Sequence, residues 1–145
     1  MQTRTTWTEK LKFRAESDGN SVELDAKSPV GSGMGLTPKE LLAIAVSGCT
    51  GMDVVALMRK YKQPLESFEV LADATVTEGV YPAVFNKIDL TFFLKGKLDK
   101  EKVIEAVRLS QTKFCGVSAM VVKAVPIHYK IILNDEEIST GEAAF

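Results

Sequence analysis

Apolar and polar residues alternate along much of this chain. Over residues 6–15, Trp7, Leu11, Phe13 and Ala15 share one face, while Thr8, Lys10, Lys12 and Arg14 share the other. Asp18-Gly19-Asn20 marks a turn, after which Val22, Leu24 and Ala26 alternate with Glu23 and Asp25. A period of two is the mark of a half-buried strand, so this region is predicted to be an antiparallel hairpin. The next stretch, SPVGSGMGL over 28–36, predicts a Gly-rich, flexible connecting loop.

The pattern then changes period. Thr37-Pro38-Lys39-Glu40 offers an N-cap Thr, a Pro at the first helical position and a Glu placed to close a capping box. The predicted helix runs to about residue 61, spans about 36 Å and ends at the Gln63-Pro64 bend. From Leu41 to Met58 it is apolar on nearly every side, which predicts a helix surrounded by protein. Alternation returns at Phe68–Thr77 and Ile88–Lys95, a second hairpin closed by Gly96. Asp99 is the expected N-cap of a helix through about Phe114, with Val103, Ala106, Val107, Ser110 and Phe114 on its inner stripe. Gly116 breaks it, Val117–Lys123 suits a short further turn or two, and Ile127–Leu133 predicts a final strand. The order ββ-α-ββ-α-α-β predicts an α+β fold in a single domain over 1–145, with antiparallel sheet and helices packed on it.

Composition narrows the function classes. Of 145 residues, 46% are hydrophobic and 26% charged, the balance of a globular domain. Eighteen basic side chains against nineteen acidic ones leave a net charge of −1, so no basic field invites nucleic acid or an anionic membrane. The N-terminal MQTRTTWTEKLKFR has no apolar core of the kind a secretory leader carries. Leu41–Met58 is the one candidate membrane span, but it contains Asp53, whose insertion costs about 2.5–3.5 kcal/mol at a helix centre. A core helix in a cytoplasmic protein is the expectation. There a purely structural disulfide is rare, so two cysteines are either packed core residues or redox chemistry.

Cys49 lies in SGCTGMDVV, where Ser47, Gly48, Thr50 and Gly51 strip bulk from around the sulfur and Asp53 follows one turn later. Cys115 is distant in sequence, so no CxxC argument applies. Two helices on one sheet can still bring the two thiols together. No metal-ligand spacing is visible, His128 falls on the polar face of its strand, and GSGMG lacks the context of a phosphate-binding loop.

The stretches GLTPKELLAIAVSGCTGMDVV (35–55) and SQTKFCGVSAM (110–120) resemble the two cysteine motifs of the OsmC/Ohr superfamily, and the element order resembles that family over essentially the whole chain. The resemblance implies an intertwined homodimer with two long buried helices and thiol sites at the subunit interface. It implies a peroxidase: Cys49 attacks a hydroperoxide, organic ones especially, and becomes a sulfenic acid, which Cys115 resolves as a disulfide. No bound cofactor is implied; a dithiol such as a lipoyl group recycles the pair as co-substrate. Leu42, Val46, Met52 and Phe114 are the expected apolar walls of the substrate pocket. The family pattern also implies a Glu directly after the helix-start Pro and an Arg in the preceding loop. Here Lys39 follows Pro38, Glu40 comes one step later, and the loop has no Arg. Glu40, Lys39, Asp53 and Arg14 are therefore the candidate supporting charges. Two other readings use the same cysteines: a non-catalytic binding protein with an apolar pocket, and a thiol redox sensor.

Overall fold

The first alternating stretch folds as two strands rather than one. In the computed structural model, which describes every residue from Met1 to Phe145, β1 (Arg4–Glu9) and β2 (Lys12–Ser17) are joined by a turn at Lys10-Leu11. Lys10 takes a positive φ of 44°, and the Trp7 indole N–H donates to its carbonyl at 2.9 Å. No Gly, Pro or Asn announces this turn, so period-two alternation ran across it and placed Leu11 on a strand face. Trp7 pairs across the turn with Phe13. β3 (Asn20–Leu24) follows Asp18 and Gly19, both at positive φ, and completes an antiparallel sheet of order β1-β2-β3.

The loop after β3 is ordered by one carboxylate. Asp25, only 2% exposed, accepts hydrogen bonds from the amides of Ala26, Ser32 and Met34 and from the Ser32 hydroxyl. The Ser32 hydroxyl, ahead of the amide donors, holds the Asp25 pKa below its ordinary value against the opposing effect of burial. A Cβ on Gly31 would come within 2.3 Å of the Ala26 carbonyl oxygen, so this glycine serves close packing rather than flexibility.

α1 (Pro38–Lys60) begins with the expected capping box: the Glu40 amide donates to Thr37 Oγ1 at 3.2 Å, and the Thr37 amide to Glu40 Oε2 at 2.7 Å. Its buried residues, Val46, Thr50, Val54, Leu57 and Met58, form a single stripe at helical spacing. Leu42, Ile44 and Met52 remain exposed. A single chain thus covers the helix on one side only.

Beyond α1 lie β4 (Ser67–Val76), β5 (Phe85–Lys95), α2 (Lys100–Leu109), a π-helical turn over Ser110–Phe114, α3 (Gly116–Val121), β6 (Ile127–Leu133) and β7 (Glu136–Glu142). The second sheet has the order β4-β5-β6-β7. It is mixed rather than wholly antiparallel: β6 runs parallel to β5, because α2, the π turn and α3 form the crossover that a parallel pair requires. The Asp99 carboxylate caps α2 as expected, accepting from the Lys102 amide at 3.1 Å. The helix predicted through Phe114 stops at Leu109 and widens into the π turn. β7 was not anticipated. Asn134 and Asp135 both take positive φ and turn the chain into a mostly polar edge strand.

Ile88, Leu90, Phe92 and Leu94 of β5 and Ile127 and Ile131 of β6 form the centre of the core with Val103 and Val107 of α2 and Val54 and Met58 of α1. Phe92 stacks on Phe68 at 6.4 Å between ring centres and meets Tyr129 edge-on at 6.2 Å. The contacts divide the chain into two compact units, Met1–Leu42 and Ala43–Phe145.

Candidate functional site

The two cysteines meet inside the second unit. The sulfurs of Cys49 and Cys115 and a carboxylate oxygen of Asp53 all lie within 4.8 Å of one another. α1 supplies Cys49 and Asp53, one turn apart on one face. Cys115 comes from the junction between the π turn and α3, where its extended backbone (φ −69°, ψ 98°) makes it the N-cap of α3. Both thiols are free; Cys49 is partly exposed and Cys115 fully buried.

The π turn accounts for the placement of Cys115. Widening the last turn of α2 lets the Cys115 amide donate to the Ser110 carbonyl at 3.0 Å, after which the chain leaves helical geometry. The Ser118 amide then donates to Cys115 Sγ at 3.3 Å, the bond an N-cap acceptor normally receives. Burial pushes the Cys115 thiol pKa up; the Ser118 side chain and amide oppose this, and the neighbouring Cys49 sulfur reinforces it. Two anions at this spacing repel, so the pair favours one thiolate at a time.

A polar chain backs the sulfurs. Gln111 Nε2 donates to Thr50 Oγ1 at 2.8 Å, Thr50 Oγ1 and Ser110 Oγ are 2.7 Å apart, and Ser110 Oγ donates to Asp53 Oδ2 at 2.9 Å. Ser110 has one hydroxyl proton and gives it to Asp53, so Thr50 must donate to Ser110. Every donor in the chain therefore points towards the Asp53 carboxylate. Thr50, Ser110 and Gln111 are fully buried. By sequence pattern Ser110 is one position of an apolar stripe and Thr50 one of several small residues around Cys49, so neither stands out as a polar partner.

The other candidate charges lie in the first unit, engaged in structure there. Glu40 closes the capping box and pairs with Lys27 Nζ at 2.7 Å. The Lys27 ammonium and the Thr37 amide draw its pKa from the ordinary 4.5 down to about 2. Arg14 sits in a strand-surface network, with Nε 3.2 Å from Glu16 Oε1 and Nη1 3.6 Å from Glu23 Oε1. Lys39 is exposed in the first turn of α1. Asp53, the expected supporting charge within the second unit, is placed beside the sulfurs. Among the expected pocket residues, Leu42, Met52 and Phe114 are exposed, whereas Val46 is fully buried in the core and presents no surface to a substrate.

The OsmC-like protein family model matches residues 31–130, a span that contains both cysteines. The chain belongs to the OsmC-like family. It is 35% identical over 129 residues to protein YhfA of Escherichia coli K12, a match covering 88% of this chain and 93% of that protein. The fold is similar to that of an OsmC-like protein from Vibrio cholerae O1, with TM-score 0.75 and 18% identity over 90% of this chain and 97% of the other. It is also similar to a V. cholerae O1 organic hydroperoxide resistance protein solved with captopril in one of its active sites. There the TM-score is 0.68 and the identity 19%, over 94% of each chain. The OsmC-like assignment confirms the α+β class and the superfamily read from the cysteine motifs.

Proposed function

We propose that this OsmC-like protein is a thiol peroxidase that reduces organic hydroperoxides through Cys49 and Cys115. The observation that carries the reading is the approach of the two sulfurs to within 4.8 Å, from segments far apart in sequence. Structural neighbours named as organic hydroperoxide resistance proteins support the substrate class.

Cys49 is the attacking sulfur because it is the more exposed of the two. Its thiolate displaces alkoxide from the terminal peroxide oxygen; the O–O bond breaks, an S–O bond forms, and the alkoxide takes a proton to leave as alcohol. The Cys115 sulfur then attacks the Cys49 sulfenic acid, forming the S–S bond and releasing water. Two thiols lose two electrons in all, and the hydroperoxide becomes alcohol and water. A small dithiol of the lipoyl type restores both thiols by exchange and leaves as its own disulfide. Asp53, beside both sulfurs, is the acceptor for the proton a thiol gives up and a source of the proton the alkoxide needs. Exposed Phe114, next in sequence to Cys115, offers an apolar wall that favours an alkyl group over hydrogen peroxide. The protein acts as a cytoplasmic homodimer, in which the exposed Leu42, Ile44 and Met52 of α1 are covered by a second copy.

The test is hydroperoxide consumption with dihydrolipoamide as reductant. Cys49→Ser should abolish turnover, and Cys115→Ser should stop after one equivalent with a trappable sulfenic acid. Turnover that survives Cys49→Ser removes the proposal.

A further inference from the structure

We propose that the reduced protein carries a zinc site formed by Cys49, Cys115 and Asp53. Two sulfurs and a carboxylate oxygen already stand within 4.8 Å of one another. Zinc bonds sulfur at about 2.3 Å and carboxylate oxygen at about 2.0–2.2 Å in tetrahedral geometry, which sets ligand atoms roughly 3.5–3.8 Å apart. Closing the remaining gap takes side-chain rotation of about an ångström. Two thiolates with one carboxylate are a donor set suited to zinc, whereas magnesium and calcium prefer oxygen alone.

Two of the three ligands are oriented by hydrogen bonds before any ion arrives. Ser110 Oγ donates to Asp53 Oδ2 at 2.9 Å, which orients the carboxylate. The Ser118 amide donates to Cys115 Sγ at 3.3 Å, which orients the sulfur. The Gln111–Thr50–Ser110 chain extends this support one layer further, with every donor directed at the carboxylate. Such outer partners fix ligand geometry and raise affinity in known metal sites. Cys49 and Asp53 are each only partly buried, so the fourth coordination position faces solvent, as it does in zinc sites that keep a bound water.

Two thiols and a carboxylate share a small volume. A divalent ion would neutralise the cluster and replace the thiol protons. Because a disulfide consumes both sulfur ligands, metal binding and Cys49–Cys115 oxidation exclude each other. Zinc would therefore hold the thiols in reserve and compete with hydroperoxide for them.

The site requires only the reduced thiols and Asp53, and it does not depend on the peroxidase reading. Reduced full-length protein, freed of small thiols and kept anaerobic, is titrated with Co²⁺ and then Zn²⁺ while the near-ultraviolet sulfur-to-cobalt charge-transfer band is followed. One ion per chain is expected, with Zn²⁺ displacing Co²⁺ and the band lost in Cys49→Ser and Cys115→Ser. Asp53→Asn, nearly isosteric and checked for folding by circular dichroism, should weaken binding by about tenfold or more, and Ser110→Ala by about tenfold. The absence of a charge-transfer band in the parent protein, or equal affinity in Asp53→Asn and the parent, overturns the proposal. The readout is metal binding, so its failure is distinguishable from a failure of hydroperoxide turnover.

Discussion

Ser110 joins the two halves of the cysteine site with a single hydroxyl. It is fully buried and touches both Thr50 and Asp53, so Ser110→Ala strands a donor and a carboxylate oxygen together. An unsatisfied buried polar group costs about 1–3 kcal/mol, and denaturant unfolding should show a loss of that size. Cys115 invites a different measurement. Burial raises its thiol pKa, with the Cys49 sulfur adding to the effect, so its alkylation should lag behind that of Cys49 and gain speed only at more alkaline pH than an ordinary thiol. Residue-resolved mass spectrometry after an iodoacetamide pulse separates the two. Glu40 shows how a motif position can mislead. Its carboxylate, drawn down to about 2 by Lys27 and the Thr37 amide, stabilises the helix start fully above about pH 4.5 and loses that role as pH falls through about 2. Glu40→Gln should therefore lower Tm at pH 7 and have much less effect at pH 2. At this scale the two cysteines were legible from their motifs. Thr50, Ser110 and Gln111 were not, because a buried hydrogen-bond chain between two helices leaves no one-dimensional pattern.

Among the elements, the ones with strong local chemistry were legible. The capping box of α1, the Asp99 cap of α2 and the alternation of β4, β5 and β6 all match their residues. The Lys10-Leu11 turn escaped because a lysine at φ 44° carries no turn signature. β7 escaped because its sequence, EEISTGE, is polar apart from Ile138 and packs only as an edge. Its Gly141 is nonetheless fixed by packing: a Cβ there would lie 2.5 Å from the Tyr129 ring. Gly141→Ala should push Tyr129 out of its place beside Phe92 and cost about 1–3 kcal/mol in denaturant unfolding. The parallel pairing of β6 with β5 follows from tertiary placement of the crossover, which strand patterns alone do not specify. The π turn is similar: nothing in SQTKF distinguishes it from the helix it extends, yet it sets the direction in which Cys115 leaves.

On the scale of the whole molecule, α1 is the element whose sequence and surroundings disagree most. Its residues are apolar on nearly every side, yet Leu42, Ile44 and Met52 stay exposed on a single chain. A second copy covering this face reconciles the two, and Ile44→Glu should then shift the protein towards monomer in analytical ultracentrifugation. The activating charge of the thiol belongs to the same question. Asp53 is beside the sulfurs, while Glu40 and Arg14 are each engaged in ion pairs of the first unit. The central claim, that Cys49 and Cys115 work as one redox pair, has a direct test. One equivalent of an organic hydroperoxide is added to the reduced protein, and the products are read by mass spectrometry after alkylation. A Cys49–Cys115 disulfide within each chain is expected, formed with release of one equivalent of alcohol. Oxidation that leaves Cys115 as a free thiol, with Cys49 carried on to sulfinic acid, would contradict it.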